Sequence, residues 1–173
     1  MTTFVKLLGA FFALAAIDIL IRESGHAAAG ILLGLNIKHA GMEWAQLSPF
    51  LVWDAGWTWR TALMSYAGGL TAALAFLALY GALYGRFAGS LLWWGIGAIA
   101  AMLSAKELAN GLIEGFAHQQ YLAGGGDLMS WTVQVQYAAV LLGILFHWRL
   151  TGATLGGLGR LAYQVVRPSP DHV

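Results

Sequence analysis

The sequence contains no cysteine, and charged residues make up only 10% of its 173 positions. Without cysteine there is no disulfide framework, no thiolate metal site and no cysteine nucleophile. The formal net charge is +1, which provides no basic surface for nucleic acid. These absences exclude a disulfide-stabilised domain, cysteine-dependent catalysis and a nucleic-acid partner.

Hydrophobic residues are abundant instead, at 59% of the sequence, and they occur in long runs. Several runs reach the ~20 residues that a helix needs to cross the hydrocarbon core of a bilayer. The sequence therefore predicts an all-α fold, a polytopic membrane helical bundle that forms one transmembrane domain over residues 1–150. We expect about four transmembrane helices, at about 4–35, 59–84, 90–118 and 131–150.

The connection between the first two predicted helices is rich in tryptophan, with Trp44, Trp53 and Trp57. Because indole rings concentrate where headgroups meet hydrocarbon, we expect an interfacial loop here. Pro49 leaves open whether this loop contains a strand pair or a re-entrant turn. Residues 151–173 are predicted to form an interfacial or flexible C-terminal tail.

The distribution of basic residues predicts the orientation. With four spans, the side of the termini would hold Lys6, Arg86, Arg149, Arg160 and Arg167, and the other side Lys38, Arg60 and Lys106. The excess of positive charge predicts cytoplasmic termini. We expect an integral protein of a bacterial inner (cytoplasmic) membrane, whose first helix acts as its own signal anchor.

The first predicted helix carries ionisable residues in the middle of its apolar run. A charged side chain at the bilayer centre costs about 2.5–3.5 kcal/mol on insertion scales, so such residues normally mark a function or an ion pair. Asp18, Arg22 and His26 are four residues apart and share one helix face, with Glu23 beside it. We expect a buried Asp18–Arg22 ion pair, with His26 as a hydrogen-bonded neighbour.

Two segments carry a resemblance to a known family. The segment 22–26, Arg-Glu-Ser-Gly-His followed by small residues, resembles the His-Glu-x-Gly-His motif on the first core helix of the site-2 protease family of intramembrane zinc metallopeptidases. Residues 66–73, in the second predicted helix, are similar to the Ala-Gly-Pro-x-x-Asn segment of that family. Here Gly69 replaces the proline and Ala72 the asparagine.

The family's third element, Asn-Pro-x-x-Asp-Gly on a later helix, has two candidate counterparts. One is the segment 110–115, with Glu114 in place of the aspartate, and the other is Asp127. The resemblance thus covers roughly residues 11–127. It implies that Glu23 is the general base of an active enzyme, and that the candidate metal ligands are His26, Glu114, His118 and Asp127, with His39 as a more distant option.

Position along the helices makes this ligand set geometrically plausible. The first and third helices run in the same direction, and His26 lies about as far from the start of its helix as Glu114 and His118 do from theirs. These side chains are therefore expected at one depth in the membrane. The competing interpretation is that Glu107, Glu114 and His118 have emerged among the headgroups and are solvated.

Arg22 stands where the family has its first histidine ligand. A guanidinium has no lone pair to offer and repels a divalent ion. We therefore expect a proteolytically inactive relative without a cofactor, which acts as a helix-packing or accessory subunit of a membrane complex. Its partners would be membrane lipids and other transmembrane helices. The alternative is an active intramembrane metallopeptidase with an altered zinc site, which cleaves transmembrane substrates.

His147 gives one further option. With Gly143 one turn earlier, it could ligate a porphyrin or chlorin pigment from a helix face. Its place beside Trp148 and Arg149, at the end of a predicted helix, is more typical of an interfacial histidine.

Overall fold

The computed structural model describes residues 3–43, 48–53, 56, 58–116 and 126–152. Within these ranges the chain is mostly helical. Its elements, in order, are α1 (Thr3–Leu32), β1 (Ile37–Glu43), β2 (Ser48–Trp53), α2 (Trp59–Leu83), α3 (Leu91–Phe116) and α4 (Gly126–Thr151), with a short 3-10 helix (Tyr84–Gly89) between α2 and α3. The prediction of a mostly helical protein is confirmed, and the two strands form a hairpin in the connection between the first two helices.

In the described part of the chain, three helical segments are long and apolar enough to cross a membrane: Thr3–Leu32, Trp59–Phe87 and Leu91–Phe116. The shortest has 26 residues and, at 1.5 Å per residue, extends about 39 Å, more than the ~30 Å of a hydrocarbon core. Large apolar side chains such as Leu20 and Leu74 point outward, with 61% and 65% of their surface exposed. The chain is therefore a membrane protein.

The C-terminal end of α1 is determined by the backbone conformation of Gly34. Gly34 has a φ of 73°, in the left-handed region that favours glycine. The N–H of Leu35 donates to the carbonyl of Gly30 at 2.9 Å, and the N–H of Gly34 donates to that of Ile31 at 3.0 Å. This pair of bonds is a Schellman motif, which ends the helix at Leu32 rather than near residue 35 as predicted.

The segment between α1 and α2 contains an antiparallel hairpin. Ile37 of β1 lies opposite Trp53 of β2, and the register is irregular between Ile37 and His39. The strand pair that the sequence left open is therefore present. Trp44, Trp57 and the side chain of Trp53 lie outside the described residues, as does the predicted tail from residue 153 onward. The interfacial position of the tryptophans stays a prediction.

The start of α2 is fixed by a capping box. The hydroxyl of Thr58 accepts a hydrogen bond from the N–H of Thr61 at 3.3 Å, and the N–H of Thr58 donates to Thr61 Oγ1 at 2.9 Å. Two N–H groups that the first helical turn leaves unpaired are satisfied in this way. The predicted start near residue 59 is confirmed.

The backbones of α2 and α3 touch at Gly69 and Gly111. A Cβ added at Gly69 would lie 2.5 Å from the carbonyl oxygen of Glu107, and one added at Gly111 would lie 3.0 Å from the nitrogen of Leu70. Small residues allow this approach, as the sequence predicted for the centre of the second helix. Because α3 also contacts α1 and α4, it is the central helix of the described bundle.

We expect Gly69→Ala to lower the free energy of unfolding by about 1–3 kcal/mol, because the added methyl group forces α2 and α3 apart. Gly81→Ala is the matched control on the same helix, since no described atom of another element lies within 4 Å of a Cβ built there. This control should be neutral or stabilise slightly, because alanine is the better helix former. Thermal unfolding in detergent, followed by circular dichroism at helical wavelengths, gives the comparison. An equal loss in both variants would contradict the close approach.

Candidate functional site

Polar and ionisable side chains come together between α1, α3 and α4. This polar cluster consists of Asp18, Arg22, Glu23 and His26 on α1, Lys106, Glu107, Asn110 and Glu114 on α3, and Gln136 on α4. On α3, Glu107, Asn110 and Glu114 are spaced by three and four residues, so they share the face that meets α1. In a membrane such groups need partners within the protein, because hydrocarbon offers none.

One end of the polar cluster is a triad of charges. The Nζ of Lys106 donates to Asp18 Oδ2 at 3.0 Å and to Glu107 Oε1 at 2.5 Å. Asp18 is 3% exposed and Glu107 is fully buried. Their second oxygens, Asp18 Oδ1 and Glu107 Oε2, are buried and have no hydrogen-bond partner among the described residues. The ammonium group of Lys106 is thus the shared hydrogen-bond donor and counter-charge of two buried carboxylates.

The predicted ion pair between Asp18 and Arg22 is corrected by these contacts. Asp18 pairs with Lys106, which α3 brings against α1. Arg22 instead donates its Nε, at 3.2 Å, and its Nη2, at 3.0 Å, to Glu23 Oε1. Helical spacing within α1 predicts only neighbours on α1, so it could not reveal an ammonium group on another helix.

Arg22 lies at the centre of several negative charges. Besides its contact with Glu23, its guanidinium is within electrostatic range of Glu107 and Glu114. It therefore connects the triad around Lys106 with the residues around His26. Residue 22, which the sequence resemblance matches to a ligand histidine, is a fixed cation with carboxylates near it.

His26 is oriented from both sides of its ring. Its Nδ1 lies 2.9 Å from the carbonyl oxygen of Met64, which can only accept, so Nδ1 carries the proton. Its Nε2 lies 3.4 Å from Glu114 Oε2. The ring lies against Gly68, where an added Cβ would collide with it. The imidazole is thus held with Nε2 directed at α3.

Glu114 links His26 to the rest of the bundle. Its Oε1 accepts from Asn110 Nδ2 at 3.0 Å, and Asn110 Oδ1 accepts from Gln136 Nε2 at 2.8 Å. A continuous row of polar contacts therefore runs from α1 through α3 to α4.

The structure brings together some of the predicted site residues. His26 and Glu114 are in contact, and Glu23 follows Arg22 on α1. His118 lies outside the described residues. Asp127 belongs to the first turn of α4, and its side chain is not described. Within the described ranges, no group of three His, Cys, Asp or Glu side chains could hold a metal ion.

The competing interpretation of solvated residues on the third helix is wrong for Glu107, which is fully buried. Glu114 is also largely covered, with 17% of its side chain exposed. Both carboxylates belong to the interior of the bundle because the stripe that they form faces α1.

His147 is a core residue of the bundle. It is fully buried, and its Nδ1 is hydrogen-bonded to the hydroxyl of Tyr80 at 3.0 Å. The rings of Trp94 and Phe87 pack around it, with centroids 4.8 Å and 5.2 Å from that of the imidazole. Burial within the bundle does not fix the depth of His147 in the membrane, so its interfacial position and pigment binding there both stay predictions.

Several contributors to the polar cluster were not predicted: the ammonium group of Lys106, the amide of Gln136 and the carbonyl of Met64. The sequence carries a signal for part of this set. Lys106 and Glu107 are followed by Asn110 and Glu114 at helical spacing, which indicates a polar stripe on an otherwise apolar helix.

Comparison of the chain with protein-family models, with curated proteins and with solved structures gives no match. The resemblance to the site-2 protease family therefore rests on the motif residues of the chain itself, and family membership stays a prediction.

We expect Lys106→Met to lower the free energy of unfolding by about 3–5 kcal/mol, because it leaves the buried carboxylates of Asp18 and Glu107 without their cation. Adding Asp18→Asn should recover part of the loss, since one uncompensated charge disappears. Adding Arg22→Leu should instead deepen it, because a second cation is removed. Unfolding of the purified variants by SDS in mixed micelles measures the three effects. No loss in Lys106→Met, or a loss that Asp18→Asn does not reduce, would contradict the pairing of Asp18 with Lys106.

Proposed function

We propose that this chain is a non-proteolytic relative of the site-2 protease family that keeps the three-helix core with altered motifs and acts as a helix-packing or accessory subunit of a membrane complex. The observation that supports this proposal is the contact between Arg22 and Glu23, in which two N–H groups of the guanidinium reach one carboxylate oxygen. Glu23 stands where the family has its general base.

The chemistry of Arg22 explains why this contact matters. A guanidinium is permanently charged and offers no lone pair, so residue 22 does not fit a zinc ion as a ligand. Its positive charge lies near the carboxylates of Glu23 and Glu114, which would otherwise attract a divalent metal ion. In this proposal, the cation that neutralises the acidic groups is part of the protein itself.

The exposure of α1 supports a role in binding other helices or lipids. Among its residues, all of which the structure describes, Asp18, Gly25 and Gly30 are buried. In its most apolar stretch 6% of the residues are buried, compared with 39% for the span of α2 and 44% for that of α3. Most of the surface of α1 is thus available to lipids or to a partner helix in a membrane.

An active metallopeptidase is the second candidate, and the pair His26–Glu114 favours it. Two ligands of a tetrahedral zinc ion at about 2.0–2.1 Å lie about 3.3 Å apart, close to the 3.4 Å between His26 Nε2 and Glu114 Oε2. Ligand histidines commonly donate their other N–H to a carbonyl, as His26 does to Met64. Glu23 would be the general base, and a further ligand would come from His118 or Asp127.

Zinc content separates the two candidates. We expect purified wild-type protein to hold no stoichiometric zinc and to cleave no transmembrane substrate. Arg22→His should acquire about one zinc ion per chain, because it restores two imidazoles one helical turn apart. Arg22→Gln is the matched control, since it removes the charge without supplying a ligand. Elemental analysis after dialysis measures the content. About one zinc ion in the wild type, lost in His26→Ala, would replace the first candidate by the second.

We further propose four membrane spans, with α4 as the fourth and both termini cytoplasmic in a bacterial inner membrane. The outward residues of α4 support this, because Leu141, Leu142 and Leu145 are each more than 60% exposed and suit a hydrocarbon surrounding.

The absence of cysteine makes this topology directly measurable. Single cysteines at Lys38, Arg86, Gln119 and Ser169 can be tested with a membrane-impermeant maleimide on intact cells. Labelling is expected at Lys38→Cys and Gln119→Cys, and only after permeabilisation at Arg86→Cys and Ser169→Cys. If Gln119→Cys and Ser169→Cys are labelled from the same side, α4 does not cross the membrane.

A further inference from the structure

A cavity of about 300 Å³ lies between α2, α3 and α4. Among its lining residues, the small Ala101 and Gly143 are buried and Ala105 is partly buried, and we call these three its floor. Leu77, Leu142 and Phe146 are at least half exposed, and we call them its mouth. It shares no residue with the polar cluster. The volume is about twice that of an engineered ~150 Å³ apolar cavity that binds benzene, and it reaches the lower end of natural ligand pockets.

The mouth of the cavity opens onto the outer surface of the bundle. Leu77, Leu142 and Phe146 are 51%, 65% and 50% exposed, so they belong both to the cavity and to the outward apolar face. Ala101 and Ala105 lie near the middle of α3, a helix long enough to span the membrane. In a membrane the cavity is therefore entered sideways, from the hydrocarbon.

The polar atoms among the lining residues are already hydrogen-bonded. The hydroxyl of Tyr80 is bonded to His147 Nδ1, and that of Ser104 donates to the carbonyl of Ala73 at 2.9 Å. A headgroup or a peptide would leave its own polar atoms unsatisfied in this cavity, at a cost of about 1–3 kcal/mol each. The chemistry of the lining thus selects a purely apolar ligand.

The shape of the mouth distinguishes between two apolar occupants. A partner helix approaches through small surface residues that allow backbones to come close, whereas the mouth of this cavity carries Leu77, Leu142 and Phe146. A single methylene chain can pass between such side chains and reach the small residues of the floor. We propose that the cavity binds one acyl chain of a membrane lipid, which completes the packing of α4 against α2 and α3.

A photoreactive lipid tests this proposal. The full chain is reconstituted into phosphatidylcholine vesicles that contain a phosphatidylcholine with a diazirine in the middle of one acyl chain, and labelled residues are mapped by mass spectrometry. We expect labelling of Ala101 and Ala105 that saturates as the fraction of photoreactive lipid rises. Labelling of the fully outward Leu74 should rise in proportion to that fraction, because it reports bulk lipid.

Ala105→Phe fills the cavity and should reduce labelling of Ala101 about tenfold, since the buried part of the chain loses its contacts. Ala78→Phe is the matched control at an exposed position of α2, and it should leave labelling of Ala101 unchanged. Absence of labelling on the floor, or labelling there that follows the bulk behaviour of Leu74, would overturn the proposal.

If Ala105→Phe does not yield folded protein, the saturation behaviour of the wild type decides alone. The zinc content of Arg22→His is independent of this result, so failure of the lipid site and failure of the proposed function can be told apart.

Discussion

The contact of the Lys106 ammonium with Asp18 and Glu107 is the interaction on which the arrangement of α1 depends. An unpaired charge in hydrocarbon is costly, and a carboxylate deprived of its cation in a protein interior destabilises the fold more than most lost contacts. Few residues of α1 are buried, and its packing against α2 includes Gly25, where an added Cβ would lie 2.9 Å from Thr71. The charges on α1 and α3 add to that contact in selecting the face of α1 that meets the bundle.

Within a bilayer the outer surface of a helix is as apolar as the lipid, so the hydrophobic effect does not drive helices together. The bundle instead uses polar contacts and close backbone approach. His26, Glu114, Asn110 and Gln136 form one row across three helices. The row begins at His26, whose ring lies against Gly68 of α2. A side chain at residue 68 would collide with this ring, so glycine provides the space that the ring needs.

Much of the fold could be predicted because its signals are local. Run length indicated the helices, but the end of α1 was predicted near residue 35 instead of at Leu32, because Gly34 was not used as a stop signal. The hairpin could not be predicted, since strand pairing depends on partners across the turn rather than on one segment. At the site, equal depth on parallel helices indicated that His26 and Glu114 could meet, and their side chains lie 3.4 Å apart. The partner of Asp18 could not be found, because which face α3 turns toward α1 depends on packing of the whole bundle.

The meeting of Gly69 and Gly111 has a mechanical consequence. Since the two backbones are in contact there, α2 and α3 cannot slide along each other without a side chain striking the opposite helix. A change of the angle between the helices about that point would keep the two backbones in contact, so the point would act as a pivot. Glu107 and Asn110 lie within one turn of it. Any tilting of these helices would thus move the ends of the spans widely, while the charged interior stays almost in place.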